Sequence, residues 1–427
     1  MQDYDPLSED AKLNADAHYA RLHERCPVHH YVLAEKDVKR IEASPLVANP
    51  THEFWTVTRY QDCVQLLNDP HHYPSGQGPG PERMGVWTEG GMLIFGDPPA
   101  HIRQRRISAK AFTPKAVAAV ESRIQAIADD LLDGLAMRGG AELLEEFTVQ
   151  LSIRTIALIL GVGADRVADF WRWGNGIVSA FGSDTEAAQE QFTAIMELFA
   201  FFQDRIDERR AMLAAGEKLP ADTLTGLIVA ESDGTQFDDE EIKNACMQIV
   251  VAGFETTATG IANGIHLLDN HPEEKRKLQE NPSLLPVAVE EIVRVASPLE
   301  GLFRTTVGAT EIGGLPIPDD AKVRVMFAAA NRDPQAFTDA TRFRIDRDPA
   351  ELKKHLGFGT GPHTCLGAAL ARAELRIGLG TLLHRLPDIH VDPDRTPVRS
   401  QVLIINGFAK LWVRWDPAKA VPREARA

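Results

Sequence analysis

Cysteine is scarce and scattered in this sequence. Only four occur in 427 residues, Cys26, Cys63, Cys246 and Cys365, and none forms a CxxC pair. That excludes a disulfide framework and a zinc site of ordinary spacing, and it suits a reducing compartment. Basic residues are also in deficit: Lys and Arg total 46 against 61 Asp and Glu, a net charge of -15. Such a chain is a poor non-specific ligand for nucleic acid. No apolar run reads as long enough to cross a bilayer. The opening Met1-Gln2-Asp3-Tyr4-Asp5 lacks the basic and apolar regions of a signal peptide. A cytoplasmic protein without a membrane span is expected.

Hydrophobic residues make up 44%, enough for a sizeable core. No repeat or long linker divides the chain, so residues 1–427 read as one domain, with an irregular segment over 1–50. Apolar spacing predicts helices near 13–25, 60–68, 114–137, 143–160, 164–181, 185–215, 222–232 and 239–270. A strand is expected at 54–58, a small sheet over 303–330 and a hairpin over 402–415. Residues 74–91, rich in Gly and Pro, are expected to form a mobile loop.

One cysteine has an unusual setting. Cys365 ends the run Phe358-Gly359-Thr360-Gly361-Pro362-His363-Thr364-Cys365, and Leu366-Gly367 follow. A helix is predicted from about Leu366 to Leu386. The thiol there meets the positive end of a helix dipole and unpaired N–H groups. Both favour the thiolate, the metal-binding form. Gly359 and Gly361 allow angles other residues resist, Gly367 leaves room beside the sulfur, and Phe358 offers an apolar wall. A lone thiolate in a dry pocket suits axial ligation of haem iron. A buried structural cysteine is the alternative.

The run from Phe358 to Gly367 resembles, without a gap, the haem-binding signature of the cytochrome P450 family, and the likeness covers nearly the whole chain. The resemblance implies a mostly α fold with minor β. Haem b would lie between a long distal oxygen-binding helix and a proximal loop bearing the ligand, Cys365.

Within the predicted helix 239–270, Ala252-Gly253-Phe254-Glu255-Thr256-Thr257 breaks local rules. It places a glycine, a charge and two β-branched hydroxyl residues in an apolar stretch. A solvated Glu and a back-bonded Thr would account for it. The segment also resembles the family's oxygen-binding motif. That implies a groove for dioxygen at Gly253, a hydrogen bond to oxygen from Thr256, and proton relay by Glu255, where many relatives carry Asp.

His101 and Arg105, four apart on a predicted helix, resemble the family's HxxxR element. With Arg304 and His363 they are implied to bind the haem propionates, for which guanidinium forks are suited. Glu291 and Arg294 match the family's ExxR pair, and Arg342 matches the arginine that completes that ion network. The implied substrate pocket draws on Trp87, Met92, Leu93, Ile94, Ile249, Ala252, Leu299, Gly301, Leu302, Ile404 and Ile405. Their apolar character suggests a terpenoid, steroid, alkyl-aromatic or fatty-chain compound. Glu300 and Asn406 are candidates for bonding a polar end.

Arg103, Arg105, Arg106, Lys110 and Lys353-Lys354-His355 form a candidate basic patch for a ferredoxin. The expected enzyme is a monomeric monooxygenase supplied by NAD(P)H through a reductase and ferredoxin. A peroxide-driven peroxygenase, a haem sensor or carrier, and a haem-free helical binding protein are the rival readings. The acid–alcohol pair at Glu255 and Thr256 speaks against the first.

Overall fold

The computed structural model describes residues 4–42, 47–49, 51–84, 91–179, 185–232 and 234–423. The central helix, Asp239–Asn270, begins at the boundary its sequence encodes. Asp238 Oδ1 accepts the Glu241 N–H at 2.8 Å, and Glu241 Oε2 accepts the Asp238 N–H at 3.1 Å. Two otherwise orphaned donors are thereby satisfied. The helix stops at His271, where Pro272 starts the next one.

This helix packs against Val149–Ile159, Val167–Ser179, Thr185–Ala214, Leu285–Val295 and the cysteine helix Ala368–Arg385. It is apolar and long enough to cross a bilayer, which corrects the expectation that no such run exists. More than half of its apolar window is buried inside the fold, as in a core helix. Close approach to the cysteine helix depends on missing side chains. A Cβ on Gly260 or Gly264 would lie 2.9 Å from Leu375 Cδ2 or Leu379 Cδ2. The two helices that flank the site are therefore held at a fixed separation by close packing.

The largest sheet has four strands in the order Val28–Val32, Glu53–Val57, Lys322–Val325, Leu302–Thr305. Lys322–Val325 runs parallel to Glu53–Val57 and antiparallel to Leu302–Thr305, with Val323 opposite Arg304. The expected sheet over 303–330 is thus two structures, because Thr310–Ile312 and Leu315–Ile317 pair only with each other. The expected hairpin over 402–415 shifts. Val398–Arg399 pairs with Phe408–Lys410, while Trp412–Arg414 joins Gly140–Glu142 and His390–Val391. The helix expected over 114–137 divides into Pro114–Ala118 and Glu121–Leu135.

Residues 74–79 are tied down rather than free. Ser75 and Gly76 N–H groups donate to Asp97 at 2.8 Å, and Phe303 N–H donates to Pro79 O at 3.0 Å. Trp87 lies outside the described residues.

Candidate active site

The cysteine loop is shaped by two left-handed glycines, Gly359 at φ 66° and Gly361 at φ 72°. A side chain at Gly361 would also strike Leu67 O, 2.4 Å from a built Cβ. Cys365 N–H donates to Phe358 O at 2.8 Å, closing the loop. The helix begins at Ala368, two residues later than expected, and the Gly367 N–H points at the sulfur. Cys365 opens into a cavity whose opposite wall is the central helix. Burial pushes its thiol up, against the Gly367 N–H and the charges of Arg105 and Arg372. The helix start alone therefore does not produce a thiolate; binding a cation deprotonates such a thiol. The Arg372 guanidinium covers Phe358 at 4.3 Å from the ring centre.

Beside the loop lie four cationic or basic groups with too few anions. Arg304 is buried, and among the described residues its hydrogen bond goes to Phe303 O at 2.8 Å. Burial pushes it down to about 10, with Asp97 opposing. Arg105 donates to Thr364 O at 2.5 Å. Both ring nitrogens of His101 are buried and unpartnered. His101 and His363 rings stand 4.1 Å apart. Burial, then Arg304, His101 and Arg105, push His363 down to about 2. Asp97, the nearby acid, is occupied by the Ser75 and Gly76 N–H groups. Buried charge of one sign without counter-charge is costly. This cluster therefore fits a ligand with carboxylates, and it contains all four residues the sequence proposed for propionates.

On the central helix, Ile249, Ala252, Gly253 and Thr256 face the cavity. Thr256 Oγ1 donates to Ala252 O at 2.7 Å, so its lone pairs are left for the cavity. The space vacated at Gly253 is taken by Ile156, whose Cδ1 would lie 2.4 Å from a Cβ there. Glu255 is beside this wall, not on it. It has no ionic or hydrogen-bonding partner among the described residues, and burial pushes its carboxyl up to about 7.

Leu93, Ile94, Leu299 and Leu302 line the cavity as expected. Met92 packs beside the core instead. Ile404 and Ile405 do not line it. Ile404 sits against the Phe54–Phe303 cluster, and Ile405 bridges Leu299 through the backbone. Gly301 is a close-packing position, since a Cβ there would lie 2.3 Å from Val325 O. Glu300 pairs with Arg324 at 2.7 Å and accepts from Tyr19 at 2.9 Å, so it is not free for substrate. Asn406 Nδ2 donates to Ser297 O at 3.0 Å, a structural bond. Sequence reasoning missed Gln248, whose Oε1 accepts the Ile94 N–H at 3.1 Å. It also missed Glu374, a cavity-lining carboxyl on the cysteine helix pushed well up by burial. A lone acid within an apolar helical stretch was the available signal.

Behind the loop, Arg294 Nε and Nη2 donate to Glu291 at 2.7 and 2.8 Å, with both side chains 0% exposed. Arg294 Nη1 reaches Asn331 O and Ala340 O at 2.7 and 2.6 Å. The guanidinium that completes the network belongs to Arg347, not Arg342. Arg347 Nε donates to Glu291 Oε2 at 3.0 Å. Arg342 contributes only its carbonyl, which accepts from both arginines at 3.1 Å, and its side chain is exposed. The turn at Asp339, with φ 46°, helps direct which side chain faces inward. Asn331 Oδ1 then accepts the Leu356 N–H at 2.6 Å, linking the network to the cysteine loop.

The expected basic patch is partly consumed. Arg103 pairs with Glu241, Lys110 donates to Glu231 O, and Arg105 faces the cavity. His355 is buried against Glu290 at 3.0 Å. Lys353 and Lys354 remain at the surface, while Arg372, exposed beside Phe358, is paired with Glu290 at 2.6 Å.

The family model for Cytochrome P450 matches residues 169–406, more than half of the chain. The chain is a cytochrome P450. Cytochrome P450 107B1 of Saccharopolyspora erythraea is 37% identical over 374 residues, covering 84% of this chain and 89% of that protein. Mycinamicin IV hydroxylase/epoxidase of Micromonospora griseorubida is 36% identical over 370 residues, covering 85% and 90%. The solved structure of cytochrome P450 CYP109Q5 from Chondromyces apiculatus superposes with a TM-score of 0.83 at 32% identity, covering 98% and 99%. This P450 is a monooxygenase with haem b as cofactor. The cationic cluster without counter-ions, beside a cavity that Cys365 enters, fits that group.

Proposed function

We propose that this P450 oxygenates an apolar small molecule of the terpenoid, steroid, alkyl-aromatic or fatty-chain class, drawing electrons from NAD(P)H through a reductase and ferredoxin in the cytoplasm. The observation that carries the substrate class is the cavity wall. Leu93, Ile94, Ile249, Ala252, Leu299 and Leu302 converge on it, and Gln248 and Thr256 are polar side chains beside them on the central helix. The test is a titration of the haem-loaded protein with members of each class while the Soret band is followed. A shift with one class names the substrate; no shift with any class removes the apolar-pocket reading.

Cys365 Sγ would ligate the iron, and Arg105, Arg304, His101 and His363 would hold the propionates. When bound, haem supplies dioxygen activation, with one oxygen atom entering the substrate and the other leaving as water. Thr256 spends its hydroxyl proton on Ala252 O, so its oxygen accepts a hydrogen bond from the cavity side. Glu255, with its carboxyl held near neutrality by burial, carries protons toward a site that otherwise excludes water.

Glu255→Gln is expected to lower turnover by roughly 100-fold, within the range of lost acid–base catalysis, while the substrate-induced Soret shift is retained. The protonated acid is the donor, so the native turnover falls as pH rises through about 7, and the variant loses that inflection. The sign on stability follows from the same raised value. Between the ordinary carboxyl range and about 7 the folded state holds a proton that the unfolded state has lost, so native stability falls as pH rises there. Identical pH profiles of turnover for both proteins would exclude the relay.

Lys353 and Lys354 form the remaining basic surface for a ferredoxin. Lys353→Glu with Lys354→Glu is expected to slow reduction by about tenfold at low ionic strength and to leave substrate affinity unchanged. Salt should narrow the gap by screening exposed charge. Stopped-flow reduction at two salt concentrations decides it, and equal rates for both proteins would place the docking surface elsewhere.

A further inference from the structure

The geometry points to a second ligand site in this chain, one that takes an organic carboxylate. A separate cavity of about 410 Å³ lies between the N-terminal helices, the second half of the central helix and the strands around 399 and 408. That volume is in the range of small-molecule sites. None of its lining residues lines the cavity at Cys365.

Its wall carries three cations, Lys12, Arg332 and Arg399, and one carboxylate, Asp16. Asp16 is taken by Arg332 at 2.6 Å. Arg399 has neither an acid nor a hydrogen-bond acceptor among the described residues. Its guanidinium lies over Phe408, 4.2 Å from the ring centre. Arg399 is half-buried, and burial pulls its pKa down, with Tyr19 opposing. Asn263 Nδ2 on the same wall is spent on Ala296 O and Asn406 O at 3.0 and 2.7 Å, and its buried Oδ1, an acceptor without a partner among the described residues, takes a donor and not the carboxylate itself. Burial and Arg399 push His266 down to about 4, so near neutral pH it is an uncharged donor and acceptor.

A guanidinium positioned over an aromatic ring offers its fork of N–H donors to a planar two-oxygen anion. Leu267, Val295 and Phe408 supply apolar surface for the hydrocarbon part. The ligand is thus a carboxylate with a compact apolar body.

Sodium benzoate is the probe, measured by equilibrium dialysis against the haem-loaded protein. Saturating 4-phenylimidazole keeps the haem cavity filled. One equivalent of benzoate should bind, and neutral benzamide should bind at least about tenfold more weakly, the scale of a lost charge-assisted hydrogen bond. Arg399→Leu should lose affinity by about the same factor and Arg399→Lys should keep more of it. An unchanged Soret band in the variants shows that the haem cavity is intact. Equal binding of benzoate and benzamide overturns the proposal, as does no binding up to the solubility limit or undiminished binding by Arg399→Leu. Should Arg399→Leu fail to fold, the benzoate–benzamide comparison on the native chain decides alone.

Discussion

Cys365→Ala yields a folded protein that no longer gives a thiolate-ligated haem spectrum and no longer turns over substrate. Activity should fall by several orders of magnitude, because no other described cysteine borders the cavity. Cys63 and Cys246 are buried in the core with thiols pushed up by burial, and Cys26 bonds to Val28 O at 3.2 Å. Folding should survive because the loop is held by its backbone. Cys365 N–H keeps its bond to Phe358 O, Gly359 and Gly361 keep their angles, and the sulfur faces a cavity rather than a packed core. An apoprotein stability change within about 1 kcal/mol is expected, since little packed surface is lost. Denaturant melts of the two apoproteins, set beside the Soret spectra of the haem-loaded forms, separate ligation from folding. A Cys365→Ala protein with native turnover would remove the cysteine from the mechanism.

The second large effect falls on stability. Glu291→Gln leaves Arg294, 0% exposed, buried beside a neutral amide, while Arg347 keeps its second partner, Glu351, at 3.0 Å. Breaking a buried pair by removing one partner costs about 3–5 kcal/mol, because the stranded charge keeps its desolvation penalty. The same network fixes Asn331, and Asn331 holds the Leu356 N–H at the entry to the cysteine loop. Haem retention should therefore weaken along with the melting midpoint. Arg294→Lys should also fail, since one ammonium cannot span Glu291, Asn331 and Ala340 as the guanidinium does. Arg342→Ala is the control. Its side chain is exposed and only its carbonyl is used, so the change should stay within about 0.5 kcal/mol. Urea titration of the three variants tests the set; a Glu291→Gln loss no larger than that of Arg342→Ala would refute the network's role.

The contrast between Arg342 and Arg347 shows where sequence reasoning ends. Both arginines lie in one short irregular stretch, and spacing alone does not say which guanidinium turns inward. That depends on the path of the backbone around Asp339, and on carbonyls at 331, 338 and 340 that only the folded chain assembles. The same holds for Ile404 and Ile405. Their apolarity was legible, but the strand pairing shifted, and with it the surface each residue covers. Glu300 read as a free acid until Arg324, on the strand Lys322–Val325, came to lie beside it.

Features decided within a few residues were readable from the sequence alone. The capping box at Asp238 and Glu241 fixed the start of the central helix, because its donors and acceptors are three residues apart. The loop from Phe358 to Cys365 was readable because Gly359 and Gly361 adopt angles that few other residues tolerate. The cationic set at His101, Arg105, Arg304 and His363 was named from motif spacing, and the fold brings it together. Tertiary structure alone decided the partner of each buried charge, the residues that face the cavity, and the placing of Arg399, without an acid among the described residues, beside a second cavity. Burial and pairing are properties of segments far apart in sequence, and their energies exist only once those segments exclude water together.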